Sequence, residues 1–215
     1  MAFLKQLLQR GTSSTRIYAQ GTDAGEMLVA AGMAEYEEIT RDGHGYHCTA
    51  TTATASAVAI PTRDCGIALW NGAEDGGKSI IIDAVYALNA VGHAVLGQAG
   101  LMCIVGQTDV ASVTSALIVR KNNGNGPATD SVAIVAAGGA TAIDAVSGVA
   151  IGWIPVGAMA RLTVISLPGV VLWAPIDGRI IVPPARVFGV NVISSNVENT
   201  FNCGIMWHEK QLTLG

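Results

Sequence analysis

Cys65–Val91 reads CGIALWNGAEDGGKSIIIDAVYALNAV. Two apolar runs flank a polar, glycine-rich connection. The connection matches the P-loop pattern by letter: Gly72, four residues, then Gly77, Lys78 and Ser79. Read as a phosphate cradle, the stretch makes the chain a nucleotide enzyme. Read as a link between two strands, it leaves the chain without a catalytic pattern. A working P-loop needs a helix that begins at the lysine, so that amides and the positive dipole end face the phosphates. Here Ser79-Ile80-Ile81-Ile82 follows, and β-branched residues favour strands. Glu74 and Asp75 would also repel a phosphate placed between them. Asp83 follows the lysine too closely to serve as a separate magnesium-binding strand end. The spacing therefore predicts strands over Gly66–Trp70 and Ser79–Leu88 with a loop between them.

Composition points the same way. The chain has 215 residues, enough for a sizeable core. Charged residues make up 13% of it, against about 25% in an ordinary domain, so much of its surface lacks solvated groups. Burial of that surface against copies of the chain is the expected remedy. The net charge of −4 and the lack of any Lys/Arg run argue against nucleic acid as a partner. Cys48, Cys65, Cys103 and Cys203 form no CxxC pair, and free thiols are expected. The apolar stretch from Ala145 to Ala160 holds Gly148, Gly152, Pro155 and Gly157. It is shorter than a membrane helix, so buried strands and no membrane partner are expected.

Outward from the opening stretch, the chain divides into an N-terminal segment, 1–44, and a larger domain, 45–215. Residues 2–10 read as a short helix ended by Gly11, and the segment as a helical or extended docking arm. Residues 24–40 fit helix or strand, and Glu35-Tyr36-Glu37-Glu38 reads as a solvated face. From Tyr46 to Pro61 the Thr/Ala/Val content favours a strand. Glycines 92, 97, 100 and 106 read as turns and bulges, and Lys121–Pro127 as a loop. Further strands are expected at Ala111–Arg120, Ser131–Ala136, Val149–Val156, Leu162–Leu167, Val170–Trp173, Arg179–Val182 and Arg186–Ile193. In Thr200–Glu209, Phe201, Cys203, Ile205 and Trp207 alternate with Asn202, Gly204, Met206 and His208, which is the period of a half-buried strand. It is expected to pair with Arg186–Ile193 across Ser194–Asn199. Alanine-rich helices at Asp83–Val95 and Val132–Val149 are the competing reading. Their glycine and β-branched content disfavours it. Many short strands with regular turns indicate an all-β sandwich or barrel.

The remaining chemistry is sparse. His44, His47 and Cys48 lack a second ligand pair at zinc spacing, and His93 and His208 stand alone. No GxSxG elbow occurs. Trp70, Trp153, Trp173 and Trp207 lie in apolar runs, which suits a core or a subunit interface. No catalytic residue, metal or cofactor is assigned.

Leu69-Trp70-Asn71, Gly77-Lys78-Ser79-Ile80-Ile81-Ile82 and the ending Phe188-Gly189-Val190, Asn199-Thr200 and Met206-Trp207-His208-Glu209 resemble virion structural proteins of tailed bacteriophages. The resemblance implies a jelly-roll-like antiparallel β-sandwich and a homo-oligomer, with a trimer expected. It implies a capsid decoration, head-fibre or tail-associated subunit without enzymatic activity. Its partners would be the major capsid protein or other virion proteins, and its location the virion, after assembly in the host cytoplasm. Two rivals remain open. A receptor- or glycan-binding module would share the fold, and an exposed tryptophan would favour it. A P-loop phosphotransferase would depend on Lys78.

Overall fold

The computed structural model describes residues 7–8, 17–18, 36–61, 65–74, 77–91, 97–106, 116–126, 128–137, 152–162, 170–195 and 197–212. The chain divides into two compact units, Met1–Glu38 and Ile39–Gly215.

In the first unit, β1 (Leu7–Leu8) pairs antiparallel with β2 (Ile17–Tyr18). At Leu7–Leu8 this corrects the helix expected over 2–10, whose other residues lie outside the described ones. A lone helix of that length is marginal in water, whereas pairing gives Leu7 and Leu8 backbone partners. Most of 24–40 lies outside the described residues. The part that is described ends in α1 (Glu37–Arg41), a short helix that spans the division between the units.

The second unit is an antiparallel β-sandwich. Its strands are β3 (Gly45–Thr49), β4 (Thr54–Ala55), β5 (Ile67–Asn71), β6 (Lys78–Val91), β7 (Gly97–Gly106), β8 (Ala116–Leu117), β9 (Arg120–Lys121), β10 (Ala133–Ala137), β11 (Ile154–Leu162), β12 (Val171–Val182), β13 (Val187–Ser194) and β14 (Thr200–Gln211). One sheet, here the β14 sheet, has the order β12-β6-β14-β3-β9, with β4 pairing β14 beside it. The other, the β13 sheet, has the order β11-β7-β13-β5-β10-β8. The core lies between them. Ile67, Leu69, Leu101, Phe188, Val190 and Val192 of the β13 sheet meet Ile80, Ile82, Val85, Leu172, Phe201, Ile205 and Trp207 of the β14 sheet. Alternation places these residues on one face of each strand.

The strands at Gly66–Trp70 and Ser79–Leu88 form as β5 and β6, and the all-β reading holds over the alanine-rich stretches described. β5 and β6 lie in different sheets, so the glycine-rich connection is a corner between layers. The pairing expected between Arg186–Ile193 and Thr200–Glu209 does not form. β13 pairs β5 and β7, while β14 pairs β3, β4 and β6. The physical reason lies in β13, which is buried at nearly every position and takes two strand partners inside its own sheet. Val170–Trp173 and Arg179–Val182 are one strand, β12, interrupted between Pro175 and Ile180 by a register shift. Asp177 and Gly178 sit there at φ 50° and 74°, and the irregularity lets pairing with β6 resume beyond it. β3 stops at Thr49, and in the rest of the threonine-rich run only β4 and a bridge from Ala57 to Ile193 are paired. Gly97 and Gly106 bound β7, and Gly100 lies inside it, where an added Cβ meets nothing within 4 Å. Residues 111–115, 149–151 and 163–167 lie outside the described residues. Among the described residues no helix is long and apolar enough to cross a membrane.

Candidate functional site

The corner between β5 and β6 is built on Asn71. The side chain is fully buried, and its amide nitrogen donates to the carbonyls of Lys78 and Val182, each at 2.9 Å. Its Oδ1 accepts from the Ala73 amide at 3.0 Å. Its backbone N–H donates to the Arg186 carbonyl at 2.9 Å, and its carbonyl accepts from the Ala185 amide at 3.0 Å. Every polar group of Asn71 is thereby used, which is what a buried amide requires. Asn71 ties the corner to the turn between β12 and β13. Gly77 has a structural reason too. Its N–H donates to the Glu74 carbonyl at 2.8 Å, and an added Cβ would approach that oxygen to 2.8 Å.

Lys78 opens a strand, not a helix, so the amide-rich helix end of a phosphate cradle does not form at it. Its ammonium instead faces protein. Nζ lies 3.6 Å from Glu209 Oε2 and donates to the Asp130 carbonyl at 3.4 Å. The Glu209 side chain is wholly enclosed while that of Lys78 is 37% exposed. Glu209 accepts from Ser131 Oγ at 2.6 Å, from the Val132 amide at 3.1 and 3.2 Å, and from Trp207 Nε1 at 3.4 Å. Asp130 accepts from Lys121 Nζ at 3.0 Å and from the Tyr46 hydroxyl at 3.3 Å. Burial alone would raise the Asp130 carboxyl, but the Lys121 hydrogen bond and charge, aided by Tyr46, carry it below its ordinary value. Burial pushes the Tyr46 hydroxyl far upward, and the charges of Glu209 and Asp130 add to that. The two lysines balance the two carboxylates. The cluster holds Asp130–Val132 against β14 and turns its buried carboxylate away from solvent. That geometry supports a clamp.

The outward face of the β14 sheet is different in kind. Trp173, Tyr86, Gly204 and Thr49 stand opposite one another on β12, β6, β14 and β3. The rings of Trp173 and Tyr86 lie 5.5 Å apart at 15°, an offset parallel pair. Tyr86 crosses over Gly204, where an added Cβ would collide with the ring, and its hydroxyl meets Thr49 Oγ1 at 2.7 Å. Trp173 is 50% exposed, and Val171 and Leu88, opposite each other in the next row, are 57% and 41% exposed. Further along the face, His208 Nδ1 meets Asp83 Oδ1 at 2.7 Å, and His47 Nδ1 meets Asn122 Oδ1 at 2.8 Å.

Sequence reasoning placed the four tryptophans in a core or interface. Trp207 is in the core, and Trp70 and Trp153 pack half-buried on a second apolar cluster of Cys65, Ala68, Ile104 and Val187. Trp173 is half exposed on the single chain, outside the core. His44, His47 and Cys48 are not gathered about a common point. Cys48 is buried, with Sγ 3.7 Å from the Ile118 carbonyl. His93 lies outside the described residues. All four cysteines are buried free thiols. Glu209, Asp130 and Thr49 were missed because no local pattern marks a carboxylate or hydroxyl whose partners lie far along the chain. No family model matches this chain, and neither the curated proteins nor the solved structures searched provide a match.

Proposed function

We propose that this chain is a jelly-roll structural subunit of a tailed-bacteriophage particle, one that assembles with copies of itself. The observation that carries the proposal is the strand order. β3-β14-β6-β12 in one sheet face β5-β13-β7-β11 in the other. Numbered in chain order, these eight strands follow the interleaved path of a two-Greek-key jelly roll, an architecture that recurs in viral capsid domains. Of the four remaining short strands of the second unit, β4 pairs β14, and β8, β9 and β10 belong to an insertion between β7 and β11, which extends both sheets at the β3 and β5 side. The Glu209 clamp fastens that insertion. The phage-like residues Leu69-Trp70-Asn71 gain a physical reason in the Asn71 corner. The charge-poor composition and the exposed apolar side chains Val58, Ile60, Ile118, Ile154 and Val197 supply surface for neighbouring subunits and other virion proteins. The N-terminal segment acts as a docking arm, the subunit forms a trimer, and its function lies in decorating or extending the particle. Sedimentation at micromolar concentration tests the assembly. The expected mass is three times the 22.0 kDa of one chain. A sharp boundary at the monomer mass would overturn the proposal.

A further inference from the structure

We infer that the Trp173–Tyr86 pair is a binding platform for a neutral carbohydrate, with one pyranose ring stacked on the exposed face of Trp173. Three features argue for this occupant. The first is rigidity. Tyr86 is held flat by the absence of a side chain at Gly204 and by its 2.7 Å hydroxyl bond to Thr49, and Trp173 lies parallel to it. A ring fixed before binding loses little freedom when a ligand arrives. The second is chemistry. The apolar C–H face of a pyranose complements an aromatic face, and its rim of hydroxyls needs neutral donors and acceptors. Beside the pair stand Thr49 and Asn202, both uncharged, and Asn202 Nδ2 already donates to the Ala50 carbonyl at 2.7 Å, which fixes the side chain. Further along this face Asp83 and His208 meet each other at 2.7 Å. The exposed Arg179 lies within the register shift of β12 and Lys210 beyond that of β14, both away from the aromatic pair. Among the described residues the rows of Val171 and Trp173 hold no charged side chain to meet an ionic ligand.

The third feature is size. Among the described residues, the large exposed apolar side chains on this face are Val171, Leu88 and Trp173. A stable protein interface takes roughly 20–30 residues a side, whereas one or two sugar rings are covered by a patch of this extent. Trp173 stacks one ring, Leu88 and Val171 border it, and Asn202 and Thr49, two and three strands away across Tyr86, are placed for the hydroxyls of a further ring of the same saccharide. This inference is independent of the phage assignment, because it rests on the outward face and not on the strand order.

The test is a titration of the full chain with three neutral trisaccharides, built of glucose, galactose and N-acetylglucosamine, followed by intrinsic tryptophan fluorescence. At least one is expected to give a saturable change. Trp173→Ala should weaken that binding at least ten-fold with an unchanged unfolding midpoint. Thr49→Val, which frees the Tyr86 ring, should weaken it several-fold. No response to any of the three sugars overturns the inference, as does an equal response in Trp173→Ala. A subunit mass that falls in Trp173→Ala also overturns it, because a second copy would then cover the platform.

Discussion

On the outward side of the β13 sheet, Ala68, Ile104 and Val187 are as buried as the core, and Val187 has no exposed surface. On the outward side of the β14 sheet, Trp173 and Val171 are at least half exposed. The sequences do not forecast this contrast. β13 reads Val-Phe-Gly-Val-Asn-Val-Ile-Ser and β12 opens Val-Leu-Trp-Ala-Pro-Ile, both apolar at odd and even positions. Such strands are normally covered on both faces. β13 is covered, and β12 alternates between exposed and buried. An apolar strand face left open in one chain is where a ligand or neighbour is expected.

The strongest way to break the comparison is to place the same charge on both faces. Val187→Asp should abolish folding, since an unpaired carboxylate would be enclosed; a loss of more than about 4 kcal/mol is expected. Val171→Asp should change stability by about 0.5 kcal/mol or less. Urea unfolding of the pair measures it, and equal losses would erase the distinction between the faces.

A second experiment sets the inward side of β14 against its outward side. Glu209→Ala strands Ser131 Oγ and the Val132 amide, and about 2–4 kcal/mol should be lost in urea unfolding. The Asp83–His208 pair, whose side chains are 12% and 13% exposed, should tolerate Asp83→Asn with a loss of about 1 kcal/mol, because the amide keeps an acceptor oxygen for His208. A Glu209→Ala protein as stable as the parent would remove the clamp from the description.

A third sharpens the outward face alone. Gly204→Ala must displace the Tyr86 ring, which should lower stability by about 1–3 kcal/mol and reduce the near-UV circular dichroism of the Trp173–Tyr86 pair. Retention of both would show that the ring has room to move.

The smallest effect concerns pH. Burial pushes the thiol of Cys48 up to about 11 and those of Cys103 and Cys203 up to about 12. In the unfolded chain these thiols ionise near their ordinary value of about 8.5. Above it the unfolded state binds fewer protons than the folded one, so stability falls as pH rises until the folded thiols ionise. The unfolding midpoint should decline between about pH 8.5 and the folded values. Thiol-specific labelling at pH 8 should be slow until denaturant is added. Fast labelling of all four native thiols would contradict their burial.

Much of the sandwich is legible in residue types. The three isoleucines after Lys78 exclude a helix because β-branched side chains crowd its preceding turn. The period of Thr200–Glu209 assigns Phe201, Cys203, Ile205 and Trp207 to the core, where they lie. The function of Asn71 is not legible, since its partners include Val182 and Arg186, more than a hundred residues along the chain. Nor is that of Gly204, whose reason is a ring on the neighbouring strand.

By itself, then, the sequence determined that Gly66–Trp70, Ser79–Leu88, Arg186–Ile193 and Thr200–Glu209 are strands and that Gly72–Gly77 is a connection, because both follow from local sterics and side-chain period. Only the tertiary structure decided that β5 and β6 lie in different layers, that β13 and β14 do not pair, and that Glu209 closes on Ser131 and Val132. Strand partners are chosen by burial summed over both sheets, a quantity no single segment carries. The same holds for the exposed Trp173: its indole is apolar in any context, and its place on a sheet face that no described strand covers makes it a surface.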